Sequence, residues 1–516
     1  MTDTLTIALV PLDERPVNTR IPQMLGAVGG AEVRLPPPAV RGLKRVPADV
    51  DAVAAWLEAS AETADAAIVS CEFLGFGNLI ASRISTESAA AILARLTLLE
   101  EINSCCPVHA FSLITRVSNA DDAVEEPDYW AEWGTAFYKY ARLRHQSELG
   151  VPEEPDALAD LEARLPAGLK ADWLTRRLRN HTVNLGLLEM AARGKIASLR
   201  LTSDDTGVYG LPSRERRWLA GWPELIGPAL SDRVRMHPGA DEVGSAILAM
   251  RLMEHAGRTP RVFVVYSHPG GEELVAPYED RPVRETVEGQ IHACGGTLAV
   301  SETKCDVVLG VATPVPGRSA WQPEHLADDR AARYAEYEVF AGALAEAQKS
   351  GKPVALADTA YPNGSDPLLM ECLFSEASEL NLGELAAYGA WNTAGNTLGV
   401  VVAQAFCAGL IGGDSGRAEA QKAFLTHRFL EDWGYQAVTR RAARAESERL
   451  WGRREPDPAS DAEQFRLCAF IEERLAEHLQ ALQAHGVGRG LRIAPGSTRL
   501  PWRRTFEVDF DLAPLL

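Results

Sequence analysis

The sequence predicts an α/β fold in which a (β/α)8 barrel-like catalytic region with insertions precedes a mainly helical C-terminal region. About ten apolar runs of strand length alternate with amphipathic stretches of helix length, a pattern typical of parallel strands joined by helices. Polar residues repeatedly follow these runs, as they do at the carboxyl ends of strands in such folds. We therefore predict a catalytic region over residues 1–414 and a helical region over 415–516, ending in a short strand. A pair of doubly wound α/β domains is the alternative.

The predicted elements follow one another from the N-terminus. Apolar runs predict strands at 7–10, 32–35, 66–70, 108–114, 197–202, 234–237, 262–266, 307–310, 353–357, 385–388 and 499–511. Amphipathic stretches predict helices at 20–27, 50–59 and 88–102, and several more within 415–485. Residues from about 126 to 190 interrupt the alternation with a helical insertion that is rich in Tyr and Trp.

Charge and hydropathy exclude several function classes. The 516 residues include 52 basic and 71 acidic side chains, giving a formal charge of −19. Nucleic acid binding depends on Lys and Arg fields, so we do not expect nucleic acid as the main ligand. No apolar run approaches the roughly 20 residues of a membrane span, and no basic segment precedes the first apolar run. These features predict a cytoplasmic protein with no membrane partner; a homo-oligomer is left open.

The cysteine and histidine patterns do not predict a cofactor. The eight cysteines lie apart in mostly apolar contexts, with no spacing typical of a zinc site, which indicates reduced, buried thiols. There is no phosphate-binding GxxxxGK[ST] loop and no HExxH motif. We predict no cofactor and no resident metal, although an all-oxygen Mg²⁺ or Ca²⁺ site built from Asp13, Asp204 and Asp358 remains an alternative.

Seven polar clusters follow predicted strands, and a single barrel would bring them to one rim. Each cluster taken alone has a second interpretation, since Asp, Asn and Ser commonly cap helices and form turns after strands. Together they predict a site rich in carboxylates, amides and arginines. The candidate substrate-binding residues are Asp13, Arg15, Asn18, Glu72, Arg83, Arg116, Tyr209, Asp241, Glu242, Asp358, Asn363, Asp366, Trp391, Asn392 and Asn396.

The adjacent carboxylates Asp204 and Asp205 are the candidate catalytic residues. Two neighbouring carboxylates at a strand end repel each other, and burial adds to this, so the pKa of one is raised and it can act as a general acid. Its charged neighbour then orients a substrate group. In the alternative interpretation, Asp205 only caps the turn that follows.

Two further clusters each allow a binding and a structural role. Asp241 and Glu242 precede an apolar helical run, so they either contact substrate or complement the helix dipole. Trp391 offers a flat face to a sugar ring, and Asn392 offers a directional amide.

Several motifs together resemble a bacterial family catalogued only as a domain of unknown function. They are PLDERPVN at 11–18, SDD at 203–205, PGADE at 238–242, GAWNTAGNT at 389–397 and PWRRTFEV at 501–508. The resemblance spans nearly the whole chain but implies no established activity. In that family we expect Asp where this chain has Glu14 and Glu72, so the longer side chains alter the geometry at both positions.

A looser similarity links the chain to family 84 glycoside hydrolases, which are O-GlcNAcase-like. Asp204-Asp205, the segment from Asp358 to Asp366, and Trp391-Asn392 occur in the order of that family's motifs. The similarity implies that Asp204 polarises the acetamido group of the substrate and that Asp205 is the general acid. It also implies sugar-binding roles for Asn363, Asp366 and Asn392.

These observations predict a glycoside hydrolase that acts on a small or imported glycan, with N-acetylhexosaminides as the candidate substrates. Two alternatives remain open at the sequence level. One is a divalent-metal-dependent hydrolase or lyase that uses Asp13, Asp204, Asp205 and Asp358. The other is a non-catalytic sugar-binding protein whose carboxylates only accept hydrogen bonds.

Overall fold

A computed structural model describes residues 4–151, 156–316 and 329–515. The chain forms two compact units, each described here by itself. Unit 1 comprises Met1–Gln23, Ala31–Ile247 and Tyr278–Arg281. Unit 2 comprises Met24–Gly30, Leu248–Pro277 and Pro282–Leu516.

The strands of the described residues agree closely with the apolar runs. They are β1 (Leu5–Val10), β2 (Ala31–Arg34), β3 (Ala66–Ser70), β4 (Val108–Ile114), β5 (Ser198–Ser203), β6 (Val234–Pro238), β7 (Arg261–Tyr266), β8 (Thr297–Leu298), β9 (Val307–Ala312), β10 (Val354–Asp358), β11 (Ala387–Gly389), β12 (Leu491–Ile493) and β13 (Leu512–Pro514). The predicted strands from 7–10 through 385–388 are confirmed to within two or three residues.

The α-helices surround these strands. They are α1 (Arg20–Gly29), α2 (Val50–Ala61), α3 (Cys71–Phe76), α4 (Leu79–Ile84), α5 (Ala89–Leu96), α6 (Leu98–Cys105), α7 (Trp130–Glu148), α8 (Ala157–Arg164), α9 (Ala167–Ala192), α10 (Leu211–Ile226), α11 (Pro228–Ser231), α12 (Val243–His255), α13 (Val283–Ala293), α14 (Arg330–Lys349), α15 (Pro367–Leu373), α16 (Ala394–Ala408), α17 (Ser415–Arg428), α18 (Arg440–Trp451) and α19 (Asp461–Ala484). A π-helix, Phe429–Thr439, connects α17 to α18. No described helix has the length and apolar character needed to cross a membrane.

Unit 1 contains a six-stranded parallel sheet with the order β2-β1-β3-β4-β5-β6. The chain adds β2 on one side of β1 and then β3 to β6 outward on the other side. The switch of direction lies between β1 and β3, and such a switch opens a crevice at the carboxyl ends of the strands.

Unit 2 contains a five-stranded parallel sheet with the order β11-β10-β9-β7-β8. Its winding repeats that of unit 1, since the chain adds β8 on one side of β7 and then β9 to β11 on the other. The prediction of parallel α/β architecture is therefore confirmed. The (β/α)8 barrel is not found: in the part of the chain that the structure describes, the strands form two open parallel sheets and one antiparallel pair, β12 with β13, and no closed barrel.

The two open sheets agree with the doubly wound alternative. The sequence alternation is the same for a barrel and for an open sheet, because both are built from strand–helix–strand units. Only the side of the sheet to which each new strand is added distinguishes them. Consequently the seven predicted clusters do not share one barrel rim; they follow the strands of two different sheets.

Two local predictions need correction. The predicted helix at 88–102 is two helices, α5 and α6, that meet at Thr97. The Thr97 hydroxyl donates to the Ala94 carbonyl at 2.7 Å, a back-bond that competes with regular helix geometry. Residues 499–511 do not form one strand, because Trp502 and Arg503 have φ values of 54° and 53°, which a strand does not accommodate.

The helices of 415–485 belong to unit 2. Leu425, Leu430, Leu467 and Leu475 are fully or almost fully buried in the same hydrophobic cluster as Leu356 of β10. The region is therefore helical, as predicted, and it covers the second sheet. Unit 1 has its own cluster, which joins β1, β3, β4 and β5 to the helices around them.

Gly77 ends α3 with a left-handed backbone, at φ 100°. A Cβ atom there would lie 2.6 Å from Cβ of Pro47 and 2.9 Å from the backbone nitrogen of Ala48. Both the conformation and the space therefore require glycine at this position.

We expect Gly77→Ala to lower the free energy of unfolding by about 1–3 kcal/mol, the cost of a strained non-glycine residue. Gly221 within α10 is the matched control, since a Cβ there meets nothing within 4 Å. Gly221→Ala should instead leave stability unchanged or raise it by roughly 0.5–1 kcal/mol. Urea denaturation measures both. Equal effects of the two substitutions would contradict this assignment.

Candidate active site

In unit 1, charged side chains gather beyond the carboxyl ends of three neighbouring strands. Arg83 lies on α4, in the connection that follows β3. Arg116 comes shortly after β4, and Asp204 and Asp205 directly follow β5. Because these strands are adjacent and parallel, the residues after them meet at one edge of the sheet.

Arg83 binds three carboxylates from different parts of unit 1. Its Nη2 lies 2.5 Å from Oδ2 of Asp204, and its Nη1 lies 3.0 Å from Oε2 of Glu125 and 3.6 Å from Oε1 of Glu126. Only 3% of the Arg83 side chain is exposed. The guanidinium group therefore holds Asp204 in a fixed position.

Arg116 binds the other half of the same cluster. Its Nη1 donates to Oδ2 of Asp205 at 2.9 Å, and its Nη2 and Nε donate to Glu125 and Glu126 at 3.2 and 3.1 Å. The two glutamates thus connect the two arginines. We call Arg83, Arg116, Glu125, Glu126, Asp204 and Asp205 the carboxylate cluster.

The sequence analysis missed Glu125 and Glu126. They form an adjacent acidic pair shortly after β4, just as Asp204 and Asp205 do after β5. The position of this acidic pair after a strand was the signal that could have identified it. The pair lies where the predicted helical insertion begins, so it was not assigned to the site. With every group ionised, four carboxylates face two guanidinium groups, so the carboxylate cluster carries an excess of negative charge.

Asp204 and Asp205 differ in their surroundings. The Asp204 side chain is 7% exposed, whereas that of Asp205 is 27% exposed. Burial and the neighbouring charge of Asp204 raise the pKa of Asp205 to about 6, against the lowering effect of Arg116. Burial also raises the pKa of Glu126. We therefore expect Asp205, the more exposed of these carboxyl groups, to exchange a proton with solvent near pH 6.

Asp205 also has a backbone φ of 25°, which non-glycine residues rarely adopt. Strain of this kind is concentrated at active sites and ligand-binding loops. The backbone N–H of the next residue, Thr206, donates to the carbonyl of Tyr278 at 2.9 Å. Tyr278 itself has a φ of 66°. Two strained segments thus meet beside the carboxylate cluster.

Asp205 opens onto a solvent-open cleft of about 510 Å³, a volume that includes open solvent. Three tyrosines contribute to its walls together with polar side chains. The lining residues are Arg116, Val117, Ser118, Asn119, Tyr138, Ala141, Asp205, Thr206, Gly207, Tyr209, Gly210, Pro212 and Tyr278. Of the predicted residues, Arg116, Asp205 and Tyr209 line it. Tyr138, Asn119 and Tyr278 were missed, because they come from the insertion and from loops that the sequence pattern could not place.

The residues after β1 form a separate buried network with a residue after β6. Asp13 accepts hydrogen bonds from Arg15 and Asn18, and both of these also donate to Oδ1 of Asp241, at 2.5 and 3.1 Å. All four residues are at most 5% exposed. This network joins the loops after β1 and β6 although three strands separate these two in the sheet.

Glu72 and Glu242 are buried, and each carboxylate accepts a hydrogen bond from a backbone N–H group. Glu72 accepts from the Leu113 N–H at 2.7 Å and from the Ser112 hydroxyl at 2.8 Å. Burial raises its pKa to about 7. Glu242 lies just before α12 and accepts from the Ala240 N–H at 2.9 Å. Substrate binding by either residue stays a prediction.

The remaining predicted residues belong to unit 2 and follow β10 and β11. Asp358 accepts from the N–H of Asp366 at 2.7 Å, and Asp366 caps the N-terminus of α15. Burial raises the pKa of Asp358 to about 7. Asn363 and Asn392 have φ values of 61° and 60°, and the Asn363 N–H donates to the Asn392 carbonyl at 2.9 Å.

Trp391 and Asn396 are both 3% exposed in unit 2. The Trp391 ring packs edge-on against Phe506, with centroids 6.1 Å apart. In this conformation its faces are covered, so stacking on a sugar requires rearrangement. Asn396 donates to the Thr393 hydroxyl at 3.2 Å. The structure thus divides the predicted residues between two sheets, and their binding roles stay predictions.

Neither a metal cluster nor a disulfide bond occurs in the described ranges. Among them no three His, Cys, Asp or Glu side chains are grouped so as to hold a metal ion. The eight cysteines are free, and all but Cys105 are buried.

Comparison with known proteins gives a family but no activity. The profile of a family described as "Protein of unknown function (DUF4127)" matches residues 7–511. A search of curated proteins found no match.

We expect Arg15→Met to destabilise unit 1 by about 3–5 kcal/mol, because it leaves two buried carboxylates without their shared partner. Arg34→Met is the control, since Arg34 pairs with Glu32 at the exposed edge of the sheet. That surface pair contributes little. The urea midpoint should fall strongly for the first variant and hardly at all for the second. Equal shifts would show that the buried network does not stabilise the sheet.

Proposed function

We propose that this chain, which belongs to the DUF4127 family of proteins of unknown function, is a glycoside hydrolase that acts at the Asp205 cleft. The observation that carries the proposal is the contrast between two adjacent carboxyl groups. Asp205 reaches the cleft and has a pKa raised to about 6. Asp204 lies behind it, fixed by Arg83 at 2.5 Å. A protonated acid beside a positioned carboxylate is the arrangement that glycosidic cleavage requires.

In the proposed reaction, protonated Asp205 donates its proton to the glycosidic oxygen as the bond to the anomeric carbon breaks. Positive charge then develops on the sugar ring. The similarity to family 84 enzymes suggests an N-acetylhexosaminide, whose acetamido oxygen attacks the anomeric carbon. That similarity also implies a hydrogen bond from the acetamido N–H to Asp204, which requires rearrangement because Asp204 does not line the cleft. The attack of the acetamido oxygen closes a five-membered oxazoline ring on the sugar. Asp205, now a carboxylate, removes a proton from a water molecule, and this water attacks the anomeric carbon and opens the oxazoline ring. The hydrolysed sugar leaves with Asp205 protonated again.

The walls of the cleft support a carbohydrate ligand. Tyr138, Tyr209 and Tyr278 offer aromatic surface with a hydroxyl group on each ring, and Asn119 and Arg116 offer hydrogen-bond donors. A cleft that combines aromatic walls with several polar side chains suits a small glycan. The sugar-binding roles that the family 84 similarity implies for Asn363, Asp366 and Asn392 concern unit 2, so the proposed chemistry depends on unit 1 alone.

We expect Asp205→Asn to reduce hydrolysis of aryl glycosides by about 10²–10⁴-fold, the usual contribution of a general acid. The loss should be greatest for poor leaving groups, which need the proton, and smallest for dinitrophenyl glycosides, which do not. A panel covering both anomers of N-acetylglucosamine and N-acetylgalactosamine, assayed with and without EDTA, measures it.

Asp232→Asn is the matched control, because Asp232 is exposed at the end of α11 and lies outside the cleft. It should hydrolyse all substrates at the wild-type rate. Wild-type activity in Asp205→Asn, or recovery of a bound glycan unchanged after long incubation, would contradict the proposal. Loss of activity with EDTA alone would instead favour the metal-dependent alternative.

The pH dependence follows from the raised pKa of Asp205. A general acid must be protonated, so kcat/KM should fall as pH rises through about 6, approaching tenfold per pH unit above it. In Asp205→Asn this descending limb should disappear. A flat wild-type profile between pH 5 and pH 8, measured with a poor leaving group, would exclude Asp205 as the acid.

A further inference from the structure

Large apolar side chains are exposed side by side on α9 and α10 of unit 1. Trp218 and Trp222 of α10 are 51% and 47% exposed, and Leu225 is 81% exposed. Leu178 of α9 lies beside them, one turn before His181, whose ring packs edge-on against the Trp218 ring at 6.0 Å. The members of this group, which we call the tryptophan patch, are Leu178, Trp218, Trp222, Leu225 and Ile226.

The spacing along α10 puts its members of the tryptophan patch on one face of the helix. Trp218, Trp222 and Leu225 follow one another at intervals of four and three residues, which is the spacing of neighbours on a helix surface. The other face packs into unit 1 through Leu219, which is fully buried in the hydrophobic cluster of the sheet. Arg214 lies over the Trp218 ring, 4.1 Å from its centroid, yet half of that residue stays exposed. Helix α10 therefore presents an apolar face to solvent.

The area of the tryptophan patch matches what a specific dimer requires. A half-exposed tryptophan offers about 100 Å², so the five side chains together expose roughly 500 Å². Apolar patches of about 300–600 Å² are the largest that ordinary monomers carry, and they are often interaction sites. Two such patches in contact bury about 1,000 Å² before their polar rims are added, which reaches the size of a specific interface.

The charges beside the tryptophan patch are complementary to themselves. Arg217 and Glu224 are both exposed and lie about two helical turns apart on the same flank of the apolar face. Neither makes an ion pair among the described residues. In a contact with two-fold symmetry, each residue meets its counterpart's partner residue in both directions. If two copies of α10 lie antiparallel, Arg217 of each copy faces Glu224 of the other, and Trp218 faces Leu225.

A lipid surface is the other occupant to which exposed tryptophans are suited, but the charges of α10 do not favour it. Helices that lie on membranes carry an excess of Lys and Arg on their polar face. Helix α10 has three arginines and two glutamates, and Arg214 and Arg216 already pair with Glu148 and Asp280. The formal charge of −19 on the whole chain also opposes binding to anionic lipids.

We propose that the tryptophan patch is the interface of a two-fold homodimer in which two copies of α10 pack antiparallel. The occupant of the patch is a second copy of this chain. The apolar side chains fill the centre of the contact, and two Arg217–Glu224 pairs close its edge and fix its direction. The dimer does not depend on the proposed hydrolysis, because no member of the tryptophan patch lines the Asp205 cleft.

Sedimentation equilibrium of the full chain tests the dimer. We expect a species of twice 55.9 kDa, with a Kd of about 10 μM or tighter. Leu225→Glu should weaken it by about tenfold or more, because the contact then buries a charge without a partner. Val339→Glu is the matched control, since Val339 is 76% exposed on α14, outside the patch; it should leave the dimer intact. A wild-type chain that stays monomeric at about 100 μM, ten times that Kd, or a dimer that Leu225→Glu does not weaken, would overturn the proposal.

A charge swap tests the antiparallel pairing itself. Arg217→Glu alone and Glu224→Arg alone each place like charges opposite one another, so each should weaken self-association by about tenfold. The double variant Arg217→Glu/Glu224→Arg restores both pairs and should dimerise as the wild type does. The two single variants, when mixed, should form a heterodimer for the same reason.

The swap also separates a second copy of the chain from other occupants. Single variants that weaken the dimer without recovery in the double variant, and without association on mixing, would contradict the antiparallel contact. A wild-type chain that stays monomeric and instead binds phosphatidylcholine vesicles, with loss of this binding in Leu225→Glu, would show that the tryptophan patch contacts lipid. That result would overturn the proposal.

Discussion

The sharing of two arginines among four carboxylates is the constraint on which the site in unit 1 depends. Arg83 and Arg116 come from the connections after β3 and β4, and their partners come from the loops after β4 and β5. Neither guanidinium group could be buried without these acids, and the acids could not lie so close without the guanidinium groups. Because negative groups outnumber positive ones, one proton is retained most easily in the cluster. We expect the partly exposed Asp205, which lines the cleft, to hold that proton.

The sheet order explains why this cluster forms where it does. In unit 1 the strands β3, β4 and β5 are adjacent and parallel, so the residues that follow their carboxyl ends meet at one edge of the sheet. The buried network of Asp13, Arg15, Asn18 and Asp241 fixes the loops on either side of the cluster. Unit 2 repeats the same winding, and its own polar residues also follow the carboxyl ends of the strands. One chain thus uses the same topology twice.

Much of the secondary structure followed from the sequence, because buried parallel strands are continuous apolar runs. The runs at 66–70 and 108–114 match β3 and β4 residue for residue. The sequence did not predict how the strands are divided between sheets. That division depends on contacts between distant parts of the chain, and a local hydropathy pattern does not contain them. Of the site, Asp204, Asp205, Arg83 and Arg116 were found from their positions after strands. Glu125 and Tyr278 were not, because their side chains reach the cluster and the cleft from irregular loops. Trp391 was expected to face a sugar, but its burial against Phe506 depends on the C-terminal segment, which the pattern misassigned as a strand.

The protonation of Asp205 is the central claim, and it is accessible without any substrate. Carboxyl carbons of ¹³C-labelled aspartates shift on ionisation, and the difference between the wild type and Asp205→Asn isolates the signal of Asp205. The account predicts a titration midpoint near 6, and a lower midpoint when Asp204 is replaced by Asn, since the repelling charge is then removed. A midpoint in the ordinary range of aspartate, about 4, would show that the carboxylate cluster does not hold a proton. The assignment of Asp205 as a general acid would then be wrong.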